Sequence, residues 1–311
     1  MPEPLFDTRI KMRHVSCFLE VTRQGGVVRA SEALGVSQPA VSKTLVELEA
    51  LLGVSLFDRN GRKLVLTADG EIFSRYAITA ATALRHGVES VTASRSAQQL
   101  VRVGALPTVE AEVVPQAVAR FLSRPFAGRV HIESGPSPHL LGLLREGMLD
   151  FIVGRMASPD VMKALAFEHL YSEELTYAVR PSHPLAGRSV LTHVEIEPYV
   201  LLVPPRGAII RPVVDAMFIA GGMREGRLEV ETVSNSFGRA FTLENDAIWV
   251  ISRSVVARDL ALGQLVPLPL DTSASHGPVG ITTRSGETPS VIVGAMLETV
   301  RAIVSERETS A

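Results

Sequence analysis

Residues 28–52, VRASEALGVSQPAVSKTLVELEALL, contain two helical patterns separated by a very short connection. The first pattern ends at Gly35, and Ser37 offers a capping hydroxyl for a second helix that runs to about Leu52. Pro39 suits the first turn of this second helix, because the N–H group that proline lacks would have no helical partner there. A short turn that contains glycine, placed between two helices, is the spacing of a helix-turn-helix.

The second helix of this motif has one apolar side and one polar end. Its predicted buried stripe is Val41, Leu45 and Leu48. The polar side chains left facing outward near its N-terminal end are those of Ser37, Gln38, Ser42 and Lys43. In a DNA-binding helix-turn-helix these are the positions that reach base edges and phosphates.

The segment Leu56 to Thr67 predicts two short strands around an Asn60-Gly61 turn, which is a strong hairpin signal. Three cations, Arg59, Arg62 and Lys63, cluster at the tip of this hairpin. A wing that lies along a phosphate backbone requires such a cluster. A charged turn that is merely solvated is the alternative interpretation.

Thr67 predicts the N-terminal cap of a long helix. Small and apolar residues recur along this helix on a 3.5-residue repeat, namely Phe73, Ala77, Ala80, Leu84, Gly87 and Val91. Such a repeat favours a helix–helix seam between two chains, with packing inside one chain as the alternative. We therefore predict a winged helix-turn-helix over residues 1–67, and a dimerising linker helix with a hinge over residues 68–99.

From residue 100 onwards, apolar strands alternate with helical patterns, which predicts βαβ units and a parallel sheet. A second α/β set follows, and the last strand and helix return to the first lobe. The predicted fold class is therefore multi-domain α/β, with a two-lobed ligand-binding domain over residues 100–311. Lobe I covers about 100–172 and 276–311, and lobe II about 173–275. Because ligands in such sheets bind at the carboxyl ends of strands, the cleft between the lobes is the expected pocket.

Composition and charge are compatible with this organisation. The 311-residue chain has a formal net charge of −2; residues 1–95 hold 12 Lys and Arg against 10 Asp and Glu, a net of +2, which leaves 19 against 23, a net of −4, for the rest. No apolar stretch approaches the roughly 20 residues that cross a bilayer, and no secretion signal is visible. Cys17 is the single cysteine and is expected to be a buried, inert thiol. We therefore expect a cytoplasmic protein without membrane contact.

The motifs at residues 37–43, 48–49, 52–53, 56–59 and 66–67 resemble those of the LysR-type transcriptional regulators over the whole DNA-binding domain. The resemblance implies a winged helix-turn-helix, a linker helix that dimerises and a periplasmic-binding-protein-like effector domain, assembled as a dimer or tetramer. It further implies contacts to DNA from the recognition helix by Gln38, Pro39, Ser42 and Lys43, with Arg59, Arg62 and Lys63 near phosphates. The implied partners are double-stranded promoter DNA with an imperfect palindrome, other copies of the chain, and RNA polymerase.

The effector half is similar to one branch of this family at residues 103–108, 154–156, 167–173, 233–241 and 246–249. That branch contains regulators of the pca operon, which activate protocatechuate catabolism through the β-ketoadipate pathway. The resemblance implies an activator of an aromatic-acid catabolic operon that responds to a small carboxylic acid. A sister branch that regulates sugar-uptake genes in response to a monosaccharide shares much of this pattern and is the alternative.

Candidate effector-binding residues follow the predicted strands at their carboxyl ends. They are Leu106, Pro107 and Thr108 after the first strand, Ser134 and Gly135 after the second, Arg155 after the third, and Ser234, Asn235 and Ser236 after a strand of lobe II. The free N–H groups at the start of the following helix suit a carboxylate, and Arg155 could bind an acid through two hydrogen bonds. Pairing of Arg155 with a structural carboxylate is the alternative. Arg206 and Arg211 are weaker candidates.

An enzyme and a solute-binding transport protein are the alternatives from other functional classes. The eight histidines are scattered, and the sequence contains no His-Glu-x-x-His, paired-cysteine or Gly-x-Ser-x-Gly spacing. We therefore expect no catalytic residue, no metal site and no cofactor other than the small-molecule effector. A transport protein would share the two-lobed domain, but it would need a secretion signal and would lack residues 1–95.

Overall fold

The computed structural model of the protein describes residues 9–58, 64–93, 100–125, 128–224 and 226–310. The chain divides into an N-terminal unit, which extends to residue 96 and also takes in residues 145–147, and a larger unit made of the remainder. Across the described ranges, none of the helices combines the length and the hydropathy needed to span a bilayer.

Four helices and one small hairpin make up the described part of the N-terminal unit. They are α1 (Met12–Gln24), α2 (Val27–Leu34), α3 (Gln38–Leu52), β1 (Phe57–Asp58), β2 (Val65–Leu66) and α4 (Ala68–Ala93). Gly35 ends α2 with a φ of 65°, a left-handed conformation that glycine adopts without steric cost. Only residues 35–37 separate α2 from α3, as the helix-turn-helix pattern predicts.

The core of this unit forms where α1, α3 and the hairpin meet. Phe18 is fully buried, and its ring lies 5.4 Å from that of Phe57 and 5.0 Å, edge to face, from that of Phe73 on α4. Cys17 is also buried, as predicted, and burial raises the pKa of its thiol, which disfavours the reactive thiolate. Burial of a large apolar side chain such as Phe18 is worth about 2–3 kcal/mol.

The structure adds detail to two local predictions for this unit. Ser37 occupies the N-cap position of α3, but its hydroxyl makes no capping hydrogen bond, because the next residue but one is Pro39 and the N–H of Ala40 donates to the Ser37 carbonyl instead. In the predicted seam between chains, Phe73 and Ala77 pack into the core of their own unit, whereas Leu84 is exposed.

The larger unit contains ten strands and six helices within the described residues. In chain order they are β3 (Leu100–Ala105), α5 (Val113–Leu122), β4 (Arg129–Ser134), α6 (Ser137–Arg145), β5 (Phe151–Arg155), β6 (Leu165–Glu173), β7 (Leu175–Val179), β8 (Val200–Val203), α7 (Arg211–Ala220), β9 (Glu229–Glu231), α8 (Asn235–Glu244), β10 (Ala247–Ser252), α9 (Arg253–Ala261), β11 (Val266–Pro267), β12 (Gly277–Arg284) and α10 (Val291–Ser310).

These elements form two sheets, and each sheet is the centre of one lobe. The sheet of lobe I has the order β4-β3-β5-β12-β6, with β3 parallel to β4 and β5, and β12 antiparallel to both of its neighbours. Because side chains alternate along a strand, Phe151 and Val153 pack toward α5 and α10, whereas Ile152 packs toward α6. The sheet of lobe II has the order β11-β7-β10-β8-β9.

The chain passes between the lobes twice. The first passage lies between β6 and β7, at Glu173 to Leu175, and the return lies between β11 and β12. The backbone N–H of Leu175 donates to the Ser275 hydroxyl over 2.8 Å, so the two passages are bonded to each other. The carboxyl ends of β3, β5 and β8 meet near these passages, and this arrangement positions the cleft described below.

Candidate functional site

The N-terminal end of α3 presents the polar residues that the sequence predicts for DNA contact. Ser37, Gln38, Pro39, Ser42 and Lys43 are all exposed. On the opposite side of the helix, Val41, Leu45 and Leu48 are buried against α1 and α2. The packing of these three residues fixes the rotation of the helix, so the polar residues form one outward surface. We call Gln38, Pro39, Ser42 and Lys43 the reading face.

The hairpin is held against α3 by a carboxylate. Glu49 Oε1 accepts hydrogen bonds from the backbone N–H groups of Leu56 (2.8 Å) and Phe57 (3.3 Å). The predicted wing cations Arg59, Arg62 and Lys63 lie outside the described residues. The antiparallel pairing of β1 with β2 on either side of them agrees with the predicted hairpin.

A cavity of about 50 Å³ lies between the two lobes. Nine of its thirteen lining residues have hydrocarbon side chains: Leu106, Pro107, Pro136, Pro204, Ala208, Ile209, Ile210, Val233 and Ile251. The other four are polar: Thr108, Ser137, Arg155 and Thr232. The Thr108 hydroxyl is buried and has no hydrogen-bond partner among the described residues. The cavity therefore has mostly apolar walls with a few polar groups, which is the usual character of a small-molecule site.

The structure brings some of the predicted effector-binding residues to this cavity and not others. Leu106, Pro107, Thr108 and Arg155 line it, as their positions after the first and third strands predict. After β4 the lining residues are Pro136 and Ser137, one or two positions beyond the predicted Ser134 and Gly135. In lobe II they are Thr232 and Val233, just before the predicted Ser234, Asn235 and Ser236.

Ser234, Asn235 and Ser236 lie at the start of α8 and make local or interlobe bonds. The Ser234 hydroxyl caps α8 by accepting from the N–H of Phe237 over 3.3 Å, and it also lies 3.1 Å from the Ser236 hydroxyl. The Asn235 side-chain amide donates across the cleft to the Pro107 carbonyl.

The two weaker arginine candidates have different surroundings. Arg206 is exposed on the loop after β8 and does not line the cavity. Arg211 is buried and forms ion pairs with Asp215, Glu229 and Glu231, so its guanidinium is already paired with carboxylates of the protein.

Arg155 lies at the base of the cavity and is 6% exposed. Its Nη2 donates to the backbone carbonyls of Glu173 (2.5 Å) and Ser275 (3.0 Å), one on each passage between the lobes. Gly277 leaves room for the guanidinium, because a Cβ there would lie 3.0 Å from Arg155 Cζ. Burial lowers the pKa of Arg155 against the raising effect of Glu173. The main bonds of Arg155 are thus to main-chain carbonyls, while its Nε has no partner among the described residues.

Glu173 is a buried carboxylate at the end of lobe I. Its Oε1 accepts from the backbone N–H of Ser254, in the first turn of α9 in lobe II, over 2.9 Å. Burial raises the pKa of Glu173, although the bonds from Ser254 and the nearby Arg155 oppose that effect. The Ser254 hydroxyl also donates to the Thr108 carbonyl over 2.9 Å. Ser254 therefore binds two separate segments of lobe I, and sequence reasoning did not identify it.

The arrangement of a helix-turn-helix followed by a two-lobed α/β domain is that of a DNA-binding transcriptional regulator with an effector domain. Residues 12–71 match the bacterial regulatory helix-turn-helix proteins of the lysR family, and residues 94–304 match the LysR substrate-binding domain. The chain belongs to the LysR family of transcriptional regulators, which are not enzymes.

Individual relatives are similar along their whole length. The chain is 46% identical over 305 residues to the HTH-type transcriptional regulator PcaQ of Agrobacterium fabrum, covering 97% of each chain. It is 35% identical to the regulator YdcI of Escherichia coli, covering 96% of this chain and 97% of YdcI. The solved structure of full-length LysG from Corynebacterium glutamicum with bound effector Arg has the same fold, with a TM-score of 0.66 and 19% identity over 96% of this chain and 99% of that chain.

Proposed function

We propose that this chain is an activator of an aromatic-acid catabolic operon and that it responds to a small carboxylic acid held between the two lobes. The similarity to PcaQ over nearly the full length of both chains supports the assignment to this branch. The observation that carries the choice of ligand is the lining of the cavity, with nine hydrocarbon side chains and four polar ones.

The chemistry of this lining favours an unsaturated acid over a monosaccharide. Each hydroxyl of a buried sugar needs a hydrogen-bond partner, and a buried polar group without one costs about 1–3 kcal/mol. An unsaturated acid instead places a flat hydrocarbon body against the apolar walls and needs partners only for its carboxylates. Thr108 and Arg155 line the cavity, and each has a buried polar atom without a hydrogen-bond partner among the described residues, so they are the partners that we propose for one carboxylate.

The size of the cavity implies that the lobes separate when the effector enters. A space of about 50 Å³ accommodates only a few water molecules, because one water needs about 10–15 Å³ of such volume. Entry of an acid of six or more carbons therefore requires the bonds of Asn235 and Ser254 to lobe I to break or rearrange. The effector shifts the arrangement of the lobes only if it binds one arrangement more tightly than the other.

For DNA, we propose that α3 enters the major groove with the reading face toward the bases. Gln38 and Ser42 would contact base edges, while Lys43, together with Arg59, Arg62 and Lys63, would neutralise phosphates. We further propose that the chain acts as a dimer or tetramer on an imperfect palindrome in promoter DNA, and that RNA polymerase is its partner in activation.

Calorimetry with the full-length chain tests the ligand assignment. The titrants are carboxymuconate-type acids, which are products of aromatic ring cleavage, with galactose and arabinose as the comparison. Saturable heat from an acid and none from either sugar is the expected result. Heat from a sugar alone would favour the sugar-uptake alternative, and no heat from any acid would overturn the proposal. Sequencing the genomic DNA that the purified protein retains identifies the operon independently of the ligand.

A further inference from the structure

Glu47 on α3 lies among basic groups from two helices. Its Oε2 is 3.2 Å from Arg13 Nη2 and 3.5 Å from the Nε2 of the buried His14, both in the first turn of α1. Its Oε1 is 4.0 Å from Lys43 Nζ. A single carboxylate thus connects the start of α1 to the reading face of α3.

This connection places Arg13 beside a residue that we propose for DNA contact. Lys43 and Glu47 are four residues apart and therefore lie on the same side of α3, one turn from each other. The Arg13 side chain is 60% exposed and that of Lys43 is 79% exposed, whereas that of Glu47 is 37% exposed. Both cations are therefore open to solvent and to a third partner, while the carboxylate sits between them.

The ion pairs in this group are of the kind that a phosphate can replace. Ion pairs between exposed side chains are weak in water, because both ions stay well hydrated and solvent screens them. A DNA phosphate offers Arg13 a two-pronged charge-assisted hydrogen bond. The negative charge of Glu47 in turn repels any phosphate that approaches Lys43 or Arg13.

We propose that Arg13 is a phosphate-binding residue of the DNA interface and that Glu47 is the counter-ion that Arg13 and Lys43 exchange for phosphate on binding. Glu47 thereby lowers the affinity of the chain for DNA of every sequence. The proposal rests on the docking of α3 described under the proposed function. It adds the N-terminal turn of α1 to the interface and assigns a function to an acidic residue beside the reading face.

Two substitutions in the full-length chain test the proposal on a short random-sequence duplex. Arg13→Ala removes one phosphate contact per protomer, so the slope of log K against log salt should become shallower by about 0.9 for each bound protomer. Affinity near physiological salt should fall about 5- to 10-fold per protomer, and Arg13→Lys should recover part of it. Glu47→Gln keeps the size of the side chain and removes its charge, and affinity should rise by a similar factor.

A second Arg–Glu pair, with both of its residues on α1, provides matched controls. Arg23 Nη2 lies 2.6 Å from Glu20 Oε1 near the other end of the helix, and the Arg23 side chain is 43% exposed. Ten residues separate Arg23 from Arg13, which is about 15 Å along a helix. Arg23→Ala and Glu20→Gln should leave both the affinity and the salt slope unchanged. Thermal unfolding of all variants shows whether any loss of binding comes from a loss of fold.

The outcomes separate this inference from the docking on which it rests. If Lys43→Ala weakens binding and Arg13→Ala does not, the docking stands and the role of Arg13 is overturned. If neither substitution has an effect, the docking of α3 itself is wrong. A duplex selected by the wild-type chain from a random pool tests Glu47 further. If Glu47→Gln loses affinity for that duplex alone, Glu47 reads bases and is not a counter-ion.

Discussion

The side-chain amide of Asn235 in lobe II donates a hydrogen bond of 2.8 Å to the backbone carbonyl of Pro107 in lobe I. The next residue of the same loop, Thr108, accepts a second interlobe bond from the Ser254 hydroxyl. Pro107 and Thr108 also line the cavity between the lobes. One loop therefore carries both the contacts that hold the lobes together and part of the cavity lining, so a ligand bound in this cavity would be coupled to the arrangement of the lobes.

The first prediction concerns this interlobe bond. Asn235→Ala removes it, and a hydrogen bond of this kind contributes about 1 kcal/mol net. We therefore expect the arrangement with bonded lobes to become about fivefold less populated relative to the open one that admits the effector, so the acid effector should associate faster and bind more tightly. Stopped-flow association and calorimetry measure the two effects.

Asn245 is the matched control for this experiment. It is an asparagine at the other end of α8, and its Nδ2 donates to the Phe241 carbonyl over 2.9 Å within lobe II. Asn245→Ala should affect stability without changing effector association. Equal association rates in wild type and Asn235→Ala would show that the bond to Pro107 does not control the lobes.

The second prediction concerns the pH dependence of stability at Glu173. Burial raises its pKa in the folded state above the ordinary value of 4.5, so the folded protein holds this proton more tightly than the unfolded chain does. Below pH 4.5 Glu173 is protonated in both states and does not change the free energy of unfolding. As the pH rises, this free energy falls until the folded pKa is passed, and then it levels off. Each pKa unit by which the folded value exceeds the unfolded value lowers the free energy of unfolding by about 1.4 kcal/mol. Glu173→Gln should therefore gain stability over wild type as the pH rises from 4.5.

Glu306 predicts the opposite trend and serves as the comparison. Its pKa is lowered by hydrogen bonds from Arg120, so its favourable contribution is present above pH 4.5 and is lost as the pH falls through the lowered value. Glu306→Gln should lose stability relative to wild type at neutral pH and approach it in acid. Denaturant unfolding at a series of pH values measures both differences. Parallel curves for wild type and Glu173→Gln would contradict the burial argument.

The third prediction separates base reading from phosphate binding on α3. Gln38 is exposed at the first position of the helix, and a glutamine there is suited to an adenine edge in the major groove. Gln38→Ala should weaken binding to a selected duplex by about 1–3 kcal/mol and leave both random-duplex affinity and the salt slope unchanged. Thr44→Ala, which alters a side chain bonded to the Ala40 carbonyl of the same helix, is the control. A uniform loss on both duplexes would mean that Gln38 supports the helix and does not read a base.

Most of the fold was predictable because apolar periodicity determines where helices and strands lie. The parallel pairing of β3 with β4 and β5 agrees with the βαβ units predicted from residue 100 onwards. Strand β6 is hard to predict from the sequence because it lies at the edge of its sheet, so exposed polar residues such as His169 interrupt its apolar pattern.

The site was predictable to the extent that strand ends determine it. Leu106 directly follows β3, Thr108 lies two residues further along, and Arg155 is the last residue of β5, and all three line the cavity. Ile209 and Ile210 also line it, but they come from a loop after β8 with no periodicity to indicate its path. The sequence allowed two interpretations of Arg155, binding of an acid and pairing with a structural carboxylate. Neither included its bonds to the carbonyls of both interlobe passages, because the sequence does not indicate which backbone carbonyls a side chain will contact.

The fourth prediction uses Thr108 to separate ligand binding from stability. Its buried hydroxyl has no hydrogen-bond partner among the described residues and borders the cavity, so it costs free energy in the empty protein. Thr108→Val keeps the shape and removes that hydroxyl, so the effector-free protein should gain up to about 1 kcal/mol of stability. If the hydroxyl binds the effector carboxylate, the same substitution should weaken acid binding by about 10- to 150-fold, because a hydrogen bond to a charged group is worth about 1.5–3 kcal/mol. Thr242 is also buried, but its hydroxyl donates to the Gly238 carbonyl over 2.7 Å, so Thr242→Val should lose stability and leave effector affinity unchanged. Thermal unfolding and calorimetry on both variants measure the two quantities separately, and full acid affinity in Thr108→Val would remove Thr108 from the effector site.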